Sequence, residues 1–161
     1  MQYANWIDDV LRFWFEELKP QDWFVRNPDT DARIRERFHD LYVSIRDAGP
    51  HAVASARQAL AAVIVLDQFP RNMFRGTAQA FATDAVALKI SKDAIAAKLD
   101  TQLTPQQRAF LYMPFQHVED RNDQARSVEL FGALGGESLS YALEHKEVID
   151  RFGRFPHRNA A

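Results

Sequence analysis

Asp67, Gln68, Arg71, Asn72 and Arg75 fall within nine positions of one another, in the stretch L-D-Q-F-P-R-N-M-F-R-G-T-A-Q-A-F-A-T-D from Leu66 to Asp84. Two other stretches carry side chains of the same kinds. F-L-Y-M-P-F-Q-H-V-E-D, Phe110 to Asp120, supplies Gln116, His117, Glu119 and Asp120, and F-G-R-F-P-H-R-N, Phe152 to Asn159, supplies Arg154, His157, Arg158 and Asn159. Guanidinium groups make paired, charge-assisted hydrogen bonds to carboxylate and phosphate. Convergence of Arg71, Arg75, Arg154 and Arg158, with Gln68, Asn72, Gln116 and Asn159 around them, describes a site for a small anionic ligand or an acidic peptide terminus. Asp67 and Glu119 then orient the arginines, and His117 or His157 adds a titratable donor. The same residues also have a plainer reading. Asp67, Asp84, Glu119 and Asp120 can pair with the arginines and lock helix ends together, because the orphan N–H and C=O groups of buried helix termini need partners.

Two further readings use the same side chains. His117 with Glu119 or Asp120, together with His157, has the composition of an acid–base catalyst, so a hydrolase or transferase is the alternative to a binding site. A metal site is the weaker version, because ligands on one helix face need i, i+3 or i, i+4 spacing and only His117 and Asp120 meet it. The third reading is a protein-interaction module, with Trp14, Trp23, Phe69, Phe74 and Phe155 as anchors; aromatic residues at helical spacing are otherwise core. The sequence has no phosphate-binding glycine loop, dinucleotide fingerprint or nucleophile elbow, and no cofactor is expected.

The elements that must position these groups are helices. Asn5 is placed to cap a helix over about 6–18, with Trp6, Val10, Phe13 and Trp14 on one face and Pro20 as its stop. Gln21 to Asn27 is a connector, and Asp29 or Thr30 starts a second helix that Gly49-Pro50 ends. Its charges, Asp31, Arg33, Arg35, Glu36, Arg37 and Asp40, form a solvated face. A third helix over about 51–69 is nearly all apolar from Ala59 to Leu66, which marks it as central. Pro70 is expected to end it, leaving Asp67 and Gln68 in the last turn and Arg71, Asn72 and Arg75 beyond. Thr83 or Asp84 caps the next helix, to about Leu99. Thr104-Pro105-Gln106-Gln107 is a capping signature for another, with Pro114 inside it. Helices over about 124–134 and 137–152 follow, separated by Gly135-Gly136 and closed by Gly153. The sum is an all-α chain of about seven antiparallel, paired helices in a single domain, residues 1–161. His39, His51 and His145 read as ordinary solvent-facing residues.

Net charge is −2 at pI about 6.2, so no general polyanion-binding surface follows and nucleic acid is not an expected partner. The chain has no cysteine, which excludes disulfides, thiolate metal sites and cysteine nucleophiles. The longest apolar run is far short of the roughly 20 residues a membrane span needs, and no secretory signal is legible at the start. A cytoplasmic protein without a membrane partner is the expectation; the letters do not address oligomeric state.

The three stretches quoted above, with F-W-F-E-E (Phe13 to Glu17) and Trp23-Phe24, resemble the signature stretches of the bacterial family catalogued as domain of unknown function 924. The resemblance covers nearly the whole chain. It implies an all-helical fold of the tetratricopeptide-repeat-like class and supplies no activity, cofactor or catalytic residue. Members of that family usually continue past His-Arg-Asn with a further helical segment, whereas this sequence ends at Asn159-Ala160-Ala161. A site closed by such a segment would be partly open here.

Overall fold

The computed structural model describes residues 4–49, 51–156 and 158. Among them there is no strand, and eight α-helical segments form seven rods. Helix α1, Trp6–Arg12, continues into a π turn, Phe13–Glu17, and the chain becomes extended at Leu18. Asn5 stands at the N-cap position, but no side-chain bond is made there; its backbone carbonyl accepts from Asp9. Helix α2, Pro28–Ala48, starts one residue ahead of the expected caps. Asn27 Oδ1 accepts from the backbone N–H groups of Asp29 and Thr30, and Pro28 occupies the first turn, where a missing N–H costs nothing.

The central rod departs most from expectation. It begins at Ala56, capped by Ser55, and runs as α3, Ala56–Val63, through a π turn, Ile64–Gln68, into α4, Phe69–Met73. Pro70 does not end it. In a regular helix the amide at position 70 would donate to the carbonyl of Leu66, and proline has no such donor. Thr83 supplies the bond instead: its hydroxyl donates to the Leu66 carbonyl at 2.6 Å, deep in the core. The preceding π turn shifts the ladder, so that the Phe69 N–H reaches back to Ile64. Thr83→Val keeps the shape and removes the donor. It should cost about 1–3 kcal/mol, the penalty for an unsatisfied buried carbonyl, read as a lower denaturant midpoint with unchanged m-value.

Helix α5, Asp84–Ala96, is followed by Lys98, which takes the left-handed conformation (φ 61°) before a short 3-10 turn. Helix α6, Pro105–Gln116, has the expected capping box between Thr104 and Gln107 and contains Pro114. Ser91 on α5 donates to the Leu111 carbonyl in the turn ahead of that proline, at 2.6 Å. Helix α7, Arg121–Leu134, is capped by Asp120, and helix α8, Glu137–Phe152, closes on Gly153 at φ 70°. Consecutive helices α5 to α8 pack on one another, and α3–α4 packs against α1, α2, α5 and α6. One core joins all of these, from Val10 to Ala142, with Trp14, Phe13, Phe38, Phe69 and Phe110 in edge and stacked contacts at its centre. Trp14, Phe69 and Phe155, considered as interaction anchors, are buried. No helix among the described residues is long and apolar enough to cross a membrane.

Candidate functional site

The rod's continuation past Pro70 puts Asp67 and Arg71 four residues apart along it, and Gln68 and Asn72 likewise on the adjoining face, while Arg75 follows in the turn after α4. Asp67 is therefore inside a rod rather than at a helix end, and it is fully buried. One carboxylate oxygen lies 2.8 Å from His117 Nδ1, and the other accepts from Gln68 Nε2 at 2.8 Å. Arg71 stands 3.5 Å from the same carboxylate, donates to the Asp67 carbonyl at 2.7 Å, and holds Asp84 with two bonds of 2.8 and 2.9 Å. Burial alone would push the Asp67 carboxyl up. The His117 and Arg71 charges, with the hydrogen bonds from His117 and Gln68, outweigh it and hold the group below the usual carboxylate range. An ionised Asp67 accepts, so Nδ1 carries the proton, leaving the Nε2 edge of the imidazole for the hollows its ring lines.

The backbone around His117 is clamped on three successive carbonyls. Gln124 Nε2 donates to those of Gln116 and Val118, both at 2.8 Å, and the Arg158 guanidinium donates to that of His117. Arg158 also lies over the rings of Phe81 and Phe155, at 4.7 and 4.8 Å from their centroids, and stands 3.6 Å from Asp84. Burial holds its pKa below the ordinary value, against the pull of Asp84. Glu119 accepts from the Phe155 backbone N–H and lies 4.0 Å from Arg158. The third stretch is thus tied to the second, and both to the first.

The remaining candidates divide. Arg75 and Asn72 turn to a different partner, Asp31 of α2. Arg75 grips it with Nε and NH2, both at 3.0 Å, and Asn72 adds a bond of 2.8 Å. Burial opposes the Asp31 charge, and these bonds overcome it, so its pKa lies below the ordinary value. Gln116 is buried beside His117, and its Nε2 has no hydrogen-bond partner. Such an orphan donor ordinarily costs about 1–3 kcal/mol. Asp120 caps α7, its carboxylate accepting from the Asp123 N–H at 2.9 Å. Arg154 is exposed on the turn after α8 and takes no part in the cluster's bonds. His157 and Asn159 lie outside the described residues. Among the described residues no three His, Asp or Glu side chains gather as a metal-binding group.

Two residues matter more than the sequence reading allowed. Asp31 sits in a run of surface-type charges, yet its side chain is only 8% exposed, because its first-turn position faces α4. His145, read as solvent-facing, is half-buried, with its ring 6.4 Å from that of His117.

The site opens to solvent through two neighbouring hollows. The smaller, about 170 Å³, is lined by Gln68, Arg71, Asn72, Arg75 and His117 on its polar side. The larger, about 690 Å³, is a mainly apolar cleft between α6 and α8, with Phe110, Met113, Leu134 and Tyr141 in its walls. Trp23, Phe24, Met113 and His117 line both, so the two meet at His117. Trp23 is fixed by its own indole N–H, which donates to the Trp14 carbonyl at 2.8 Å.

Comparison with known proteins agrees with the sequence resemblance. The family model of bacterial proteins of unknown function DUF924 matches residues 10–161, and the chain belongs to that family. A solved structure of a protein of unknown function from Agrobacterium tumefaciens is similar over 98% of this chain and 89% of that one, at 36% identity and a TM-score of 0.88. No curated protein matches the sequence.

Proposed function

We propose that this member of the DUF924 family binds a small anionic ligand in the hollow beside His117. One observation carries the reading. The polar side chains lining that hollow are Gln68, Arg71, Asn72 and Arg75, which carry N–H donors, and His117, whose Nε2 donates when the ring is protonated, and among the described residues no carboxylate lines it. The acids that balance the arginines, Asp31, Asp67 and Asp84, stand behind them and orient them. Arg71 is spent on Asp67 and Asp84 and acts mainly by charge. Arg75 uses Nε and NH2 on Asp31, which leaves NH1 for a ligand. A desolvated guanidinium held by a carboxylate behind it is a preorganised anion contact.

A second reading has its own support. A buried carboxylate that fixes the tautomer of an accessible imidazole is the arrangement of a general base. Asp67 and His117 have it, with His117 Nε2 toward the hollows. An enzyme acting on the bound anion would use His117 in this way, with Glu119 and Asp120 outside the reaction.

Thermal-shift screening of phosphate, sulfate and small carboxylates tests the binding reading. A ligand at 100 times its Kd should add about 2.7 kcal/mol of stability. Arg75→Gln should weaken that ligand roughly 10- to 100-fold, the worth of a charge-assisted hydrogen bond, while the variant stays folded on the remaining Asn72–Asp31 bond. Absence of any shift with the whole panel, or a shift indifferent to Arg75→Gln, would remove the reading.

A further inference from the structure

The anionic hollow does not stand alone, and what adjoins it says what the anion is attached to. The larger cleft shares four wall residues with it and is otherwise mostly apolar. Its volume, about 690 Å³, is that of an ordinary small-molecule site. Its rim carries two aromatic side chains left in water, Phe24 at 67% exposure and Tyr141 at 53%. Gln116, buried in the cleft wall beside His117, holds an amide nitrogen without a partner. Among the described residues the only acid that lines either hollow is Glu137, the first residue of α8. It lies eight residues before His145, roughly 12 Å along the helix from the ring that neighbours His117. The charge therefore runs one way: donors at the His117 end, apolar walls in the middle, an acid at the far end.

We propose that the ligand is a carboxylate carried on an apolar body, its carboxylate among Arg75, His117 and Gln68 and its body in the cleft between α6 and α8. This rests on the anionic reading of the smaller hollow. A phosphate or sulfate alone would leave the cleft and its exposed aromatics unused, and a neutral apolar molecule would leave the positive charge of the smaller hollow and the remaining NH1 of Arg75 unused. Burying the body against Phe110, Met113 and Tyr141 supplies affinity in proportion to apolar area removed from water, while the carboxylate sets its direction. Free apolar acids and peptide chains ending in an apolar residue share this chemistry.

Calorimetric titration at pH 7 with acetate, butanoate, hexanoate and 3-phenylpropanoate separates the possibilities, with 3-phenylpropanamide as the uncharged control. Affinity should rise roughly three- to fourfold per added methylene, and the amide should bind at least about tenfold more weakly than its acid. Tyr141→Ser, at an exposed position that the fold does not need, should weaken 3-phenylpropanoate several-fold and leave acetate unchanged. Acetyl-Ala-Ala-Phe, as free acid and as C-terminal amide, identifies the source. Capture of the peptide acid but not its amide assigns the site to chain termini; capture of the small acids alone assigns it to free acids. Acetate or phosphate binding as tightly as 3-phenylpropanoate would leave the anion site standing and overturn the amphiphilic ligand. Equal binding of acid and amide would overturn both, and so would no binding by any probe.

Discussion

Asp67→Ala is expected to lose about 3–5 kcal/mol of stability, the range for removing one partner from a buried charged network. Among the described residues nothing else takes over its bonds: His117 Nδ1, Gln68 Nε2 and the Arg71 guanidinium all face the vacated carboxylate. At roughly 2–4 °C per kcal/mol for a domain of this size, the melting point should drop by about 10 °C. Asp67→Asn should cost less. It preserves the shape and one acceptor, but it sets an amide against a neighbour that is itself a donor. The loss should also vanish in acid, and the sign is fixed by the direction of the pKa. The folded-state pKa is held below the ordinary 3.8, so the native state takes up a proton less readily than the unfolded chain. The contribution is complete above the unfolded value and disappears as pH falls through the folded one. Denaturant unfolding of wild type and Asp67→Asn should give curves that are parallel at neutral pH and draw together as pH falls below the ordinary 3.8. Curves that stay parallel throughout would mean that Asp67 is not an ionised partner of His117.

Local signals with complete grammar were legible in the sequence. Thr104-Pro105-Gln106-Gln107 opened a helix because cap, first-turn proline and return glutamine all act within four residues. Gly153 closed another because the left-handed conformation there favours a residue without Cβ. The meeting of Asp67 with His117, fifty residues apart, was legible only as matched polar stretches, yet the fold brings them to 2.8 Å. Signals that depend on a distant partner were misread. Pro70 has the local form of a helix stop, and only Thr83, thirteen residues on, lets the rod continue. That one misreading also displaced Arg71 and Asn72 from a helix to a loop. Asp31 was lost among five neighbouring charges because nothing local distinguishes the one that meets Arg75. Gln124, which fixes the backbone on both sides of His117, carries no local mark at all.

Arg71→Ala tests whether the cluster works by charge or by geometry. Arg71 joins three elements at once: the central rod through Asp67, α5 through Asp84, and the aromatic ring of Phe81, 5.3 Å from the guanidinium carbon. Asp84 would keep only the 3.6 Å approach of Arg158, so the expected loss is about 3 kcal/mol or more. Arg71→Lys restores the positive charge, but a single ammonium cannot make the two parallel bonds to Asp84 while also reaching the Asp67 carbonyl. If geometry dominates, the lysine variant recovers less than half of the loss; if charge dominates, it recovers nearly all of it. A double-mutant cycle with Asp84→Ala isolates the pair, and a coupling of about 1.5–3 kcal/mol is expected for a bidentate, mostly buried contact. The same two variants bear on binding. Arg71 lines the anion hollow with its bonds already committed, so Arg71→Lys should weaken an anionic ligand far less than Arg75→Gln does. A ligand more sensitive to Arg71→Lys would mean that the anion displaces Asp84 and takes the guanidinium face-on, which places the binding surface one helical turn closer to His117 than the resting arrangement does.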